Sequence, residues 1–171
     1  SSRPPAGGLA AGGDGRFTER MKSKRVRPVF TPGLAPGTIT DREQARVPLS
    51  ISITDYNRES LEVSEEQSVT AVTAPPDGVN RWIRVRGTPT AELVRRIGSE
   101  CAAHPLVQED IVSTAQRIKV EDYETLNFTV LRTIAQVDDG FEECELSIIL
   151  NETTLITIYE SDDASFFAPI A

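Results

Sequence analysis

Only two cysteines, Cys101 and Cys144, occur among 171 residues, too few for a disulfide framework and suited to free thiols in a reducing compartment. The single histidine, His104, together with those two distant cysteines matches no structural zinc spacing. No run approaches the roughly 18 consecutive apolar residues that a membrane helix needs, and the opening residues lack the apolar stretch of a signal peptide, so export is not expected. Basic side chains are in the minority. Eighteen against 26 acidic ones give a net charge of -8, a field that repels phosphate backbones, argues against nucleic-acid binding and favours small cations. No glycine-rich phosphate loop follows a strand pattern, and His104 has no serine or cysteine beside it in a nucleophile arrangement, so neither nucleotide binding nor nucleophilic catalysis has support. A chain that is 39 % hydrophobic and 26 % charged at this length suits one ordinary domain.

Charge is spread unevenly. Residues 1–28 hold seven basic and two acidic side chains, leaving 11 of the 18 basic and 24 of the 26 acidic residues for 29–171. With Pro4-Pro5, Gly7-Gly8 and Gly12-Gly13, the opening stretch has too little apolar content to offset its ordering entropy, and residues 1–34 read as a disordered basic tail. A solubilising role explains it; contact with anionic lipid is the alternative.

Periodicity then sets out the elements. Val47, Leu49, Ile51 and Ile53 alternate with polar neighbours as a half-buried strand does, and Arg81 to Arg86 is strand-like around Trp82, Ile83 and Val85. Thr88-Pro89 predicts a helix start, with Leu93, Val94, Ile97 and Cys101 on one face. Pro105 stops that helix before His104 and opens a second, predicted to run to about Ala115. From Ile118 the period changes to two. Three strands follow, joined by turns at Asp138-Asp139-Gly140 and Asn151-Glu152-Thr153, as an antiparallel meander. The predicted class is α/β (α+β), a mixed sheet with helices on both faces.

Several motifs now stand in a fixed order: Ala35-Pro36-Gly37-Thr38, Trp82 to Gly87, His104-Pro105-Leu106-Val107-Gln108-Glu109-Asp110-Ile111, Gln116 to Glu121, Phe128 to Arg132, Glu145 to Leu150, Leu155 to Glu160, and Phe167-Ala168-Pro169. Collinear over roughly residues 35 to 170, they resemble the N-terminal cytoplasmic domain of the CorA-type magnesium and cobalt transporters. The sequence departs from that family at Ile118, where proline is common. The resemblance implies a non-enzymatic domain over 35–171, on the cytoplasmic side of the inner membrane. It also implies a homopentamer whose stalk helix would begin near Ala171 and whose transmembrane helices lie outside this chain. The family's Gly-Met-Asn pore motif has no counterpart, because the only methionine, Met21, stands between Arg20 and Lys22. The fragment by itself is expected to be mostly monomeric.

Glu109 and Asp110 are the candidate metal ligands. Neighbouring helical residues point about 100° apart, so the two cannot grip one ion as a fork, and each needs a partner from elsewhere. From the residues alone the favoured reading is two solvated acids near a helix N-terminus. The resemblance implies that they contribute to a regulatory Mg2+ or Co2+ site between subunits, with Asp110 the stronger candidate. A related zinc transporter, and a freestanding metal-binding module of the same fold, are alternatives; a metal-dependent hydrolase is more distant. His104 reads as a hydrogen-bonded helix-junction residue. Arg117, Lys119 and Glu121 read as ion pairs, Asp138 and Asp139 as turn formers. Glu142, Glu143 and Glu145 add negative field without calcium-loop spacing.

Overall fold

A computed structural model of the chain describes residues 47–161, apart from 67, 114–115 and 138–139. The predicted basic tail and the turn at Asp138-Asp139 lie outside the described residues. Seven strands and two α-helices follow one another: β1 (Ser50–Tyr56), β2 (Leu61–Glu66), β3 (Asn80–Arg86), α1 (Ala91–Glu100), α2 (Pro105–Val112), β4 (Lys119–Asp122), β5 (Asn127–Val137), β6 (Gly140–Leu150) and β7 (Thr154–Tyr159). They build one mixed sheet in the order β2-β1-β3-β7-β6-β5-β4. Only β3 and β7 run parallel, and every other neighbouring pair is antiparallel. The predicted meander is therefore present, with β4 as a fourth, outer strand.

Register explains where the core sits. Ile51 opposes Val85 and Ile53 opposes Ile83; Ile83 in turn opposes Ile156, and Val85 opposes Ile158. Ile156 faces Ile149, which faces Phe128. Because side chains alternate between faces with period two, these residues form one apolar surface across five strands. Leu93, Val94 and Ile97 from α1 and Val107 and Ile111 from α2 are buried in the same cluster. Both described helices thus cover one face, and a second helical layer has no counterpart among the described residues. The far face is polar yet buried: Arg84 donates to Ser52 Oγ at 2.7 Å, and Trp82 Nε1 donates to Thr157 Oγ1 at 3.0 Å.

Local chemistry fixes the entry into the helices. Gly87 has φ +109°, and a Cβ there would stand 2.3 Å from the Pro48 carbonyl oxygen, so the chain leaves β3 through a conformation that only glycine takes without strain. The helix start predicted at Thr88-Pro89 moves two residues on, because the Thr88 hydroxyl is committed to Glu160 at 2.6 Å while Thr90 accepts from Leu93 N at 3.2 Å and caps α1. Pro105 does begin α2, whose cap His104 accepts from Leu106 N through Nδ1 at 3.2 Å. Ala102, at φ 50°, turns the chain between the two helices, and Gln108 Nε2 donates to Ala103 O at 2.9 Å.

A bidentate pair locks the other end of the sheet. Arg81 donates to Asp55 Oδ1 at 2.7 Å and Oδ2 at 2.6 Å, and its remaining nitrogen reaches Thr73 Oγ1 at 2.8 Å. This geometry, planar fork against carboxylate, raises the Arg81 pKa, the hydrogen bond to Asp55 outweighing burial.

Phe128 is fully buried where β5 meets the helical layer. Phe128→Ala is expected to lower unfolding free energy by about 3–5 kcal/mol in urea titrations, whereas Leu61→Ala, on the exposed face of β2, should change it by less than about 0.5. Comparable effects at the two positions would contradict this placement of the core.

Candidate metal centre

Asp110 and Glu109 both lie on α2, as the sequence predicts, but not near its start. The helix ends at Val112 rather than near Ala115, and Ser113 N closes it on the carbonyls of Glu109 and Asp110. The two acids therefore stand in the last turns, where the helix dipole disfavours negative charge. This corrects the reading in which an N-terminal dipole stabilises them. Something else must hold Asp110, and that partner is Lys119.

Lys119 is the first residue of β4. Its Nζ donates to Asp110 Oδ2 at 2.5 Å and to Glu121 Oε2 at 3.0 Å, bridging the helix and the strand. Lys119 and Glu121 are two apart on one strand, so they share a face. The ammonium also lies 5.4 Å from the centre of the Phe128 ring, a cation–π contact on the core side. Glu121 in turn accepts from the Tyr123 hydroxyl at 3.0 Å, and the Tyr123 ring stacks on His104, 6.0 Å between centroids. The cap of α2 and the anchor of Lys119 are thus parts of one network. Side-chain exposure is 17 % for Asp110, 24 % for Lys119 and 38 % for Glu121, so the Asp110 pair is well shielded and the Glu121 pair is half in solvent.

Burial by itself pulls the Lys119 pKa down, but hydrogen bonds to Asp110 and Glu121, reinforced by their charges, leave it raised above the ordinary lysine value. Glu121 is held below the ordinary glutamate value, first by its hydrogen bond from Lys119 and then by Tyr123, against the opposing effect of burial. Tyr123 is raised by burial and by the neighbouring Glu121 carboxylate.

Among the described residues, no three of the His, Cys, Asp and Glu side chains converge as a complete metal site. One carboxylate is nevertheless compatible with Mg2+, which keeps several waters and is usually held by one or two carboxylates. The Lys119 ammonium satisfies the Asp110 carboxylate as an internal ion pair. A carboxylate oxygen is a donor that a hard divalent ion would accept, and such an ion would need its other ligands from water or another chain. Softer ions find less. Cys101 is buried, and desolvation followed by the charge of Glu100 pushes its thiol up to about 11, so it offers no thiolate at neutral pH. Arg117 is exposed, and His104 is the helix-junction residue that the sequence predicts. Sequence reasoning missed the Asp110–Lys119 pair. Its only signal was the predicted reversal from α2 into a strand within a few residues.

The sequence profile of a family described as "CorA-like Mg2+ transporter protein" matches residues 77–168. A curated relative, "Cobalt/magnesium transport protein CorA" of Thermotoga maritima, is 31 % identical over 144 residues, which cover 82 % of this chain and 40 % of the relative. The chain thus spans less than half the length of that relative. Among solved structures, the full-length CmaX protein superposes with a TM-score of 0.53 at 11 % identity, over 68 % of this chain and 36 % of that one, a likeness of fold. The complete CorA magnesium transporter of Methanocaldococcus jannaschii gives 0.46 at 17 % identity, over 66 % of this chain and 32 % of that one.

Removing the ammonium leaves a partly buried Asp110 without its cation, so Lys119→Met is expected to cost about 1–3 kcal/mol of stability. The pH dependence has two limbs. Glu121, whose folded pKa is lowered, contributes stability that is present above its unfolded value near 4.5 and is lost as pH falls through the lower folded value. Lys119, whose folded pKa is raised, contributes stability present below its unfolded value near 10.5 and lost as pH rises through the higher folded value. Urea titrations from pH 3 to 7 should show the acid limb flattened in Glu121→Gln; an unchanged acid limb contradicts the assignment.

Proposed function

The chain belongs to the CorA-like Mg2+ transporter family, and from that membership we propose that it is the cytoplasmic regulatory domain of a CorA-type divalent-cation transporter, sensing Mg2+, and also Co2+, between subunits. The domain is taken to span residues 35–171. No helix among the described residues is long and apolar enough to cross a membrane. What supports the reading is the family match over residues 77–168, the stretch that contains Glu109 and Asp110.

The mechanism follows from charge. Residues 29–171 carry 24 acidic and 11 basic side chains, so copies of the domain brought together in an inner-membrane homopentamer repel one another. Asp110, with Glu109 beside it on α2, would present one oxygen donor set at a subunit boundary, and acids of a neighbouring subunit would supply the opposing charge. Bound Mg2+ supplies the positive charge that offsets their repulsion, favouring the arrangement in which subunits sit close. A site responding near millimolar concentration gains only about 4 kcal/mol per ion, so several sites around a ring have to act together to bias a gate decisively. Oxygen donors without a thiolate favour Mg2+ or Co2+ over zinc, and nothing in the arrangement supports catalysis.

Asp110→Asn in the complete transporter, reconstituted in vesicles, is expected to require about tenfold more internal Mg2+ to shut down flux. Glu109→Gln should have a smaller effect. Inhibition with an unaltered midpoint in Asp110→Asn overturns the regulatory role.

A further inference from the structure

Lys119 is paired with the carboxylate of Asp110, the candidate cation ligand, and this juxtaposition carries a consequence for control. We propose that Lys119 is a tethered competitor for that cation, setting the concentration at which the site responds; the inference rests on the reading of Asp110 as a ligand and deepens it. Lys119 Nζ sits on Asp110 Oδ2 at 2.5 Å, so a divalent cation on either oxygen of that carboxylate would stand close to the ammonium and be repelled by it. The ammonium has somewhere else to stay. Glu121 Oε2 already holds it at 3.0 Å and the Phe128 ring lies 5.4 Å away, so withdrawing Asp110 leaves Lys119 partnered rather than stranded.

That second station is itself fixed. Glu121 takes the Tyr123 hydroxyl at 3.0 Å, and Tyr123 stacks on His104, the cap of the helix that carries Asp110. Helix and strand are therefore tied together through side chains other than the lysine, which reaches Asp110 on a four-carbon stem from a sheet-edge strand. A competitor attached to the same domain acts at an effective concentration in the millimolar range or above, and it weakens apparent cation affinity without blocking the site. Lys119 is a positioning and competing residue, not a ligand. Glu121 assists binding by drawing Lys119 away.

The test measures Mg2+-dependent protection of the complete transporter from limited proteolysis, a readout independent of flux, at fixed ionic strength. Lys119→Met is expected to lower the protecting midpoint about tenfold, and Lys119→Arg, which keeps the charge, should stay near the parent. Glu121→Gln should raise the midpoint several-fold, and that shift should vanish in the Lys119→Met background, because Glu121 acts only through the lysine. If Lys119→Met does not fold, Glu121→Gln still decides: an unchanged or lowered midpoint overturns the inference. A midpoint unchanged or raised in a folded Lys119→Met, with protection lost in Asp110→Asn, rejects the competitor and leaves the site standing. Protection unaltered in Asp110→Asn rejects the site, and the competitor with it.

Discussion

The fold depends on a single parallel pairing, β3 against β7. These strands are far apart in the chain, and a parallel pair cannot be closed by a hairpin, so the intervening residues must leave one side of the sheet and return from the other. The chain does this by carrying α1 and α2 across the apolar face and then folding back strand by strand from β4 to β7. Ile83, Val85, Ile156 and Ile158 make the junction apolar enough to bury. Placing β4 at the far edge is what brings Lys119 beneath α2. The candidate site is therefore a product of topology as much as of motif.

Electrostatics adds a second constraint. An acid near a helix C-terminus is disfavoured, and a mostly buried one still more, unless a cation is close. The chain answers with Lys119, which satisfies Asp110 from β4 and is steadied by Glu121 and Phe128. Arg81 and Asp55 form a second pair at the opposite end, where the guanidinium is held by a bidentate fork and by Thr73, with no second acid beside it among the described residues. The contrast separates a fixed structural pair from one with two stations, and the use of lysine rather than arginine at the latter suits that difference.

Much of this architecture is legible in the residues because burial imposes period. The strand around Ile83, the α1 face of Leu93, Val94 and Ile97, the break at Pro105 and the final meander all follow from apolar spacing and turn chemistry. Strand β2 escapes because it is a short, acidic, exposed edge, held to β1 through a turn in which Asn57 Oδ1 accepts from Glu59 N and Ser60 N. The start of α1 shifts because Thr88 and Thr90 are equally good caps on paper, and only the distant Glu160 decides between them. Asp110 as a candidate came from ordered motifs and not from period. Its partner nine residues on was invisible, since no helical or strand spacing joins them and the contact exists only after the chain reverses.

The pairing also bears on why a sensing site would be built from so few carboxylates per chain. A complete ligand cage within a single domain would bind its ion whether or not neighbours were present, and occupancy would carry no information about their arrangement. A lone carboxylate already neutralised by its own lysine binds an external cation weakly in isolation. On the proposed reading, affinity rises only where a second chain adds acids that the lysine cannot also neutralise, so binding and subunit approach favour each other reciprocally. The excess of acidic residues over 29–171 supplies the repulsion that such coupling works against.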